Sequence, residues 1–314
     1  MSVPVQTSRG SLQYEEYYGF AQSPFTLAPD PRFLYPSPSH EEAIRFLLQS
    51  VRRREGVAIL SGDIGTGKTT VCRTVLEQLD MTLFTSLVLN PFLSVEELLR
   101  EILLDFGVVS REAVRSGRVT AATKHELVST LHEFLTSLVP IGASGVLVID
   151  EAQHLSPQVL EEIRVLSNLE TNRTKLLQIV LVGQLNLLEI LRRPEQRQLD
   201  QRISMRAVLK PLDRTALEAY VAHRLSVAKG AEPVIFDQAA LDAAHRATEG
   251  VPRLINLLCD RSLMLGAHLE TRRITSPIVT RAAESLGLRR FKPAPKHWWQ
   301  RMPRWASFGT ATEQ

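Results

Sequence analysis

The chain has 314 residues, 44% of them apolar and 23% charged, ordinary for a soluble globular protein and enough for a sizeable core in about two domains. No apolar run approaches the roughly 18 residues of a membrane-spanning helix, and the N-terminus lacks the apolar stretch of a secretory signal. The net charge of +3 is local: residues 289–314 carry Arg289, Arg290, Lys292, Lys296, Arg301 and Arg304 against Glu313 alone, and the first 288 residues hold 31 basic and 33 acidic side chains. The body is therefore near neutral, which weakens the case for a polyanionic partner. Two cysteines far apart, Cys72 and Cys259, read as buried thiols of a reducing compartment rather than a disulfide framework, so the expected location is cytoplasmic.

The elements follow from periodicity. "SHEEAIRFLLQSVRRR" pairs Ser39 with Glu42 in a capping box ahead of an amphipathic run, a helix. "GVAILSG" is a short apolar strand, "KTTVCRTVLEQL" returns to helical period, and "TLFTSLVLN" is a strand. "SVEELLREILLDFG" is a helix capped by Ser94 and Glu97 and stopped at Gly107. After a polar connection over 108–122 come a helix in "TKHELVSTLHEFLTSLV" and a buried strand in "GVLVIDEA". A helix capped by Ser156 with Pro157 in its first turn, a strand in "KLLQIVLVGQ" and a last short strand in "RAVLKPL" complete this part. Beyond Asp213 the pattern is all helix, over 213–229, 237–248, 251–268 and 276–287, with caps expected at Asp237 and at Ser276 before Pro277.

Continuous apolar strands alternating with helices predict an α/β fold with a parallel sheet sandwiched by helices. The domain reading is an N-terminal segment over 1–38, an α/β core over 39–212, a small all-helical domain over 213–288 and a basic tail over 289–314, expected to be disordered. All three tryptophans, Trp298, Trp299 and Trp305, sit in that tail.

The chemistry concentrates in a few stretches. Gly62-Asp63-Ile64-Gly65-Thr66-Gly67-Lys68-Thr69 fits the P-loop pattern in full, between a strand and a helix. The glycines let backbone N–H groups turn inward around phosphate oxygens, and the helix adds its positive N-terminal end. Lys68 is placed to reach the β- and γ-phosphates of ATP, and the Thr69 hydroxyl to ligate Mg²⁺. "VLVIDEAQ" delivers Asp150 and Glu151 at the C-terminal edge of a buried strand, where a parallel sheet presents its ligands. Asp150 is read as holding the Mg²⁺ hydration shell, and Glu151 as orienting and deprotonating the attacking water. Gln184 ends another buried strand, where it either senses the γ-phosphate or aligns water, or simply starts the next helix. In "RQLDQRISMRAVLKPL", Arg202 and then Arg206, ahead of Arg197, are the candidates for an arginine finger serving a neighbouring subunit; a solvated surface role is the alternative. Arg253 falls in the first turn of a helix, mismatched to that helix's own dipole, which points to an outside anion.

In this order these features resemble an AAA+ ATPase. The flanking stretches "YYGFAQSPFTLAPDPRFLYPSPSHEEAI", "LVLNPFLSVEELLREILLDFG", "LVGQ", "LDQRISMRAVLKPL" and "EGVPRLINLLCDRSLMLG" narrow the resemblance to the ExeA/GspA family, the general secretion pathway protein A ATPases, over roughly residues 15–288. The resemblance implies Walker A at Gly62 to Thr70, Walker B at Asp150 and Glu151, sensor 1 at Gln184, sensor 2 at Arg253, the finger at Arg202 or Arg206, and Phe33, Leu34 and Tyr35 near the adenine. It also implies ATP-dependent homo-oligomerisation at the inner membrane in aid of a secretion, pilus or exopolysaccharide machine. Longer members continue through a membrane span into a periplasmic peptidoglycan-binding region; this chain, expected to be a short form, stops at Gln314 with neither.

Two other function classes stand beside this one. A DNA-associated ATP switch of the transposition-helper type requires clustered basic side chains, of which Arg52 to Arg54 form one small run. A small-molecule kinase is disfavoured by Glu151 and by the lack of an acceptor-binding signature. The Trp-rich tail has an interfacial composition and reads as a peripheral inner-membrane contact, a protein-docking peptide or an unstructured remnant.

Overall fold

A computed structural model describes residues 14–80, 82–112, 122–172, 174–230 and 232–288. The readings of the tail and of most of the 108–122 connection fall outside the described residues. The described chain forms two compact units: one spans 38–210, and the other joins 14–37 to 211–288.

The chain opens with a short helix, α1 (Tyr14–Tyr18), of the second unit. The first unit then runs α2 (Pro38–Arg53), β1 (Val57–Gly62), α3 (Lys68–Glu77), β2 (Leu83–Val88), α4 (Val95–Asp105), α5 (Lys124–Ser137) and β3 (Ser144–Ile149). It continues with α6 (Pro157–Leu166), β4 (Leu177–Gly183), α7 (Asn186–Leu191), α8 (Arg197–Asp200) and β5 (Ile203–Leu209). The capping box at Ser94 and Glu97 is present, and a second one joins Thr123 and Glu126 at the start of α5. The box expected at Ser39 is not at a helix boundary: α2 already begins at Pro38, whose fixed φ and missing N–H suit a first helical position.

The strands lie in the order β2-β3-β4-β1-β5, all parallel. Strands β1, β3 and β4 are buried on both faces, which is why they read as unbroken apolar runs. Their side chains nevertheless alternate between two cores. Val57, Ile59, Leu147, Ile149, Leu177, Ile179 and Leu181 join α4, α5 and α6 on one face. Ala58, Leu60, Val146, Val148, Val180 and Val182 join α2 and α3 on the other. Both faces are thus roofed, and all five C-terminal strand ends come to one edge.

The second unit is not all helix. Besides α9 (Arg214–Ala228), α10 (Gln238–Thr248), α11 (Pro252–His268) and α12 (Ser276–Ser285), it contains a two-stranded parallel ribbon, β6 (Ile235–Phe236) with β7 (Arg273–Ile274). Two-residue strands are too short to impose an alternating pattern, so periodicity could not register them. Asp213 and Asp237 cap α9 and α10, whereas α12 has Thr275 rather than Ser276 in the cap position and makes no side-chain cap bond.

The N-terminal segment belongs to this unit's core. Tyr14, Tyr18 and Phe25 are buried among Leu217, Val221, Ile255 and Leu263. The Tyr18 hydroxyl donates to the carbonyls of Leu263 at 3.2 Å and Thr271 at 3.0 Å. Arg224 on α9 is buried, and its guanidinium donates to Pro24 O at 2.6 Å, Thr26 O at 3.1 Å and the Tyr220 hydroxyl at 3.0 Å. The Phe33 ring lies 4.6 Å from the guanidinium carbon, adding a cation–π contact. Truncating Arg224 leaves two carbonyls without this donor and opens a cavity. Arg224→Ala is therefore expected to cost about 3 kcal/mol, read as a lower denaturation midpoint. Arg224→Lys recovers only part of the loss, because one ammonium cannot reproduce the planar fork.

Candidate nucleotide site

Strand β1 hands the chain to the 63–67 loop, and α3 starts at Lys68. Gly65 and Gly67 have φ of 80° and 97°, a region closed to most side chains, so the loop's turn requires glycine there. The loop is braced internally: the Thr66 hydroxyl donates to Asp63 O at 2.8 Å, and the Ile64 N–H donates to Asp63 Oδ1 at 2.7 Å. No side chain caps α3. Its first-turn N–H groups are therefore available to an anion, the arrangement that binds phosphate at a helix N-terminus.

Lys68, only 6% exposed, sends its ammonium to the carbonyls of Gly62 at 3.1 Å and Asp63 at 3.0 Å. Burial pushes this amine below the ordinary lysine value, and the carboxylates of Glu151, Asp150 and Asp63 pull it back up. Asp150 follows β3 and is 5% exposed. Its Oδ2 accepts from the Thr69 hydroxyl at 2.6 Å, and its Oδ1 accepts from the Glu151 N–H at 2.8 Å. A carboxylate and a hydroxyl side by side are hard oxygen donors of the kind that Mg²⁺ takes together with substrate phosphates.

Glu151 adopts a left-handed backbone, φ 51° and ψ 35°, uncommon for a residue other than glycine. Its carboxylate accepts from Gln153 Nε2 at 2.5 Å. Gln184 follows β4, the strand between β1 and β3. The sheet thus gathers Gly62 to Thr70, Asp150, Glu151 and Gln184 at one edge.

The arginines lie elsewhere. Ile203 pairs with Val57, so Arg202 precedes β5 at the opposite, N-terminal edge of the sheet. From there to Gly62 the strand runs about 16 Å at ~3.3 Å per residue. Arg206, within β5, is engaged inside its own unit, bridging to Asp200 Oδ1 at 2.9 Å. Arg253 is exposed in the first turn of α11, in the second unit.

Two residues at this edge carried no recognisable signal in sequence. Gln153 is one. The other is His40 on α2, whose buried Nε2 lies 3.0 Å from Thr66 O. A carbonyl only accepts, so Nε2 donates. Burial holds the imidazole below its usual pKa, partly offset by that bond. Protonation is therefore easier in the unfolded chain, and His40 contributes stability that is complete above about pH 6.5 and lost as pH falls below it. His40→Gln is expected to flatten the fall in Tm between pH 6.5 and 5.5. Burial also lowers His223, which leaves a residual slope of the same sign.

Comparison with known proteins agrees with this geometry. The family described as an AAA domain matches residues 51–191. General secretion pathway protein A of Aeromonas hydrophila is 39% identical over 277 residues, 88% of this chain and 49% of that protein. ATP-dependent target DNA activator B of Escherichia phage D108 is 28% identical over 172 residues, 54% of this chain and 46% of that protein. The chain thus spans about half the length of the curated relatives it matches. Among solved structures, Cdc6p of Pyrobaculum aerophilum superposes with a TM-score of 0.65 at 18% identity, covering 84% of this chain and 70% of that one. The ORC2 protein of Aeropyrum pernix gives 0.62 at 14% identity, covering 90% and 75%. These two share the fold. The parallel sheet, the phosphate loop and the 39% identity place the chain in one family: it belongs to the AAA+ ATPases of the general secretion pathway protein A type.

Proposed function

We propose that this chain binds ATP with Mg²⁺, hydrolyses it, and couples nucleotide-dependent homo-oligomerisation to assembly of a secretion, pilus or exopolysaccharide machine of the cell envelope. The observation that carries the chemistry is the contact of Thr69 with Asp150 at 2.6 Å, beside Lys68 and Glu151. Backbone N–H groups of residues 64–69 hold the phosphates. Lys68 exchanges the carbonyls of Gly62 and Asp63 for β- and γ-phosphate oxygens. Asp150 and Thr69 would hold Mg²⁺, which neutralises phosphate charge when bound. Glu151 accepts a proton from the attacking water, and Gln184 contacts the γ-phosphate or that water.

The sheet's two edges support the finger assignment. Arg202 stands at the edge away from its own phosphate loop, which favours service to a second copy over its own nucleotide. Arg206, already bridged to Asp200, is the weaker candidate. Arg253, in a helix start that disfavours a cation, is assigned to the γ-phosphate as sensor 2, and Phe33, Leu34 and Tyr35 to the neighbourhood of the adenine.

No helix among the described residues is long and apolar enough to cross a membrane. We place the chain in the cytoplasm, with a peripheral contact at the inner membrane made by its Trp-rich tail. The similarity to the phage DNA activator supports a second reading, an ATP switch that works on DNA.

One set of turnover measurements tests these assignments, with wild type, Glu151→Gln and Arg202→Ala each assayed with and without double-stranded DNA. Glu151→Gln retains ATP binding and loses at least about 100-fold in kcat. Arg202→Ala loses turnover in assemblies. Mixing the two variants in equal amounts restores about a quarter of wild-type activity, the share of interfaces that pair an intact base with an intact arginine. Strong stimulation of the wild type by DNA at modest salt, with filaments forming, transfers the assignment to the second reading.

A further inference from the structure

Gln153 has no role in the chemistry above, yet it touches two parts of the site at once. It lies in the one-turn helix Ala152–His154 that follows Glu151, and it is 7% exposed. Its Nε2 donates to Glu151 Oε2 at 2.5 Å, and its Oε1 accepts from the backbone N–H of Gln184 at 3.0 Å. The amide has one orientation compatible with both partners. A carboxylate only accepts and a backbone N–H only donates, so rotating the amide by half a turn breaks both bonds.

The space for this amide is made by the sequence. A Cβ at Gly183 would stand 2.7 Å from Gln153 Oε1 and 2.9 Å from Leu187 Cδ2. Only glycine at the end of β4 lets the side chain lie across the strand tip. On the other side, the left-handed backbone of Glu151 sets the direction in which its carboxylate leaves the chain. The only side-chain hydrogen bond described for that carboxylate comes from Gln153.

We propose that Gln153 is a positioning residue: it ties the Glu151 carboxylate to the tip of β4, so the placement of the Gln184 segment sets where the base points. The assignment rests on the reading of Glu151 as the general base. A change at the β4 tip that shifts the Gln184 N–H pulls Gln153 Oε1, and the same rigid amide turns the carboxylate at its other end. Without the amide, Glu151 keeps its place in the chain and loses its aim.

The test compares Gln153→Met with Gln153→Glu, measuring kcat, the KM for ATP, the ATP Kd and Tm at fixed protein concentration. Methionine has nearly the same volume and makes neither bond. It is expected to lower kcat on the order of tenfold, with the ATP Kd and KM within about twofold of wild type. Glutamate keeps the acceptor for the Gln184 N–H but sets a second carboxylate against Glu151, so its kcat falls at least as far. Should the methionine variant melt below the assay temperature, the glutamate variant decides. Wild-type kcat in the folded variant, or a loss of kcat matched by an equal weakening of ATP binding, overturns the proposal. Glu151→Gln in the same assay separates the two levels. If it still turns over, the base assignment fails and takes this one with it; if it is inactive while Gln153→Met is fully active, only the positioning role fails.

Discussion

The Thr69 hydroxyl meets the Asp150 carboxylate because three strands end together. Strand β1 sets the start of α3, and hence Thr69; β3 sets Asp150; β4 lies between them, in register with both. A slip of one residue would send every side chain of a strand to the opposite core and carry its end away by about 3.3 Å. With both faces of β1, β3 and β4 buried, such a slip would also set apolar groups against the wrong neighbours throughout two cores. The 2.6 Å contact is thus a local consequence of packing spread over the whole sheet.

That packing supports charge in a place where charge is costly. Lys68 and Asp150 are both almost fully buried, and ions out of water persist only when hydrogen-bonded or compensated. Lys68 spends its ammonium on two loop carbonyls, and Asp150 divides its two oxygens between a hydroxyl and a backbone N–H. From Thr69 the bonds run through Asp150 and the Glu151 backbone, then through Gln153 to Gln184. The edge is therefore a connected polar network at the end of a packed sheet, in which displacing one member is felt by the next.

The parts legible in sequence are those with a long period or a fixed spacing. The three buried strands announce themselves as apolar runs, and the phosphate loop as glycines at set distances, because backbone geometry there tolerates few other residues. Caps at Ser94, Ser156 and Asp237 were readable for the same local reason. What escaped depends on contacts between segments remote in sequence. Nothing in "SPSH" marks His40 as lying beneath Thr66, and nothing in "DEAQ" marks Gln153 as reaching a strand 31 residues on. Tyr14, Tyr18 and Phe25 fall in what reads as a separate N-terminal segment over 1–38, yet they complete the core of helices that begin at Arg214.

That association bears on how the chain runs between the two units. Since 14–37 and 211–288 form one body, the chain crosses between units twice rather than once. Both crossings, Ser37–Pro38 and Lys210–Pro211, are bonds to proline, which fixes φ on one side and keeps the preceding residue extended on the other. Each lies next to a residue that touches the phosphate loop. His40 is two positions beyond the first, bonded to Thr66 O; Leu209 is one position before the second, and its carbonyl would stand 3.1 Å from a Cβ on Gly62. Along the chain, then, a residue close to each crossing is held against the backbone of residues 62–66 by contacts inside the α/β unit itself.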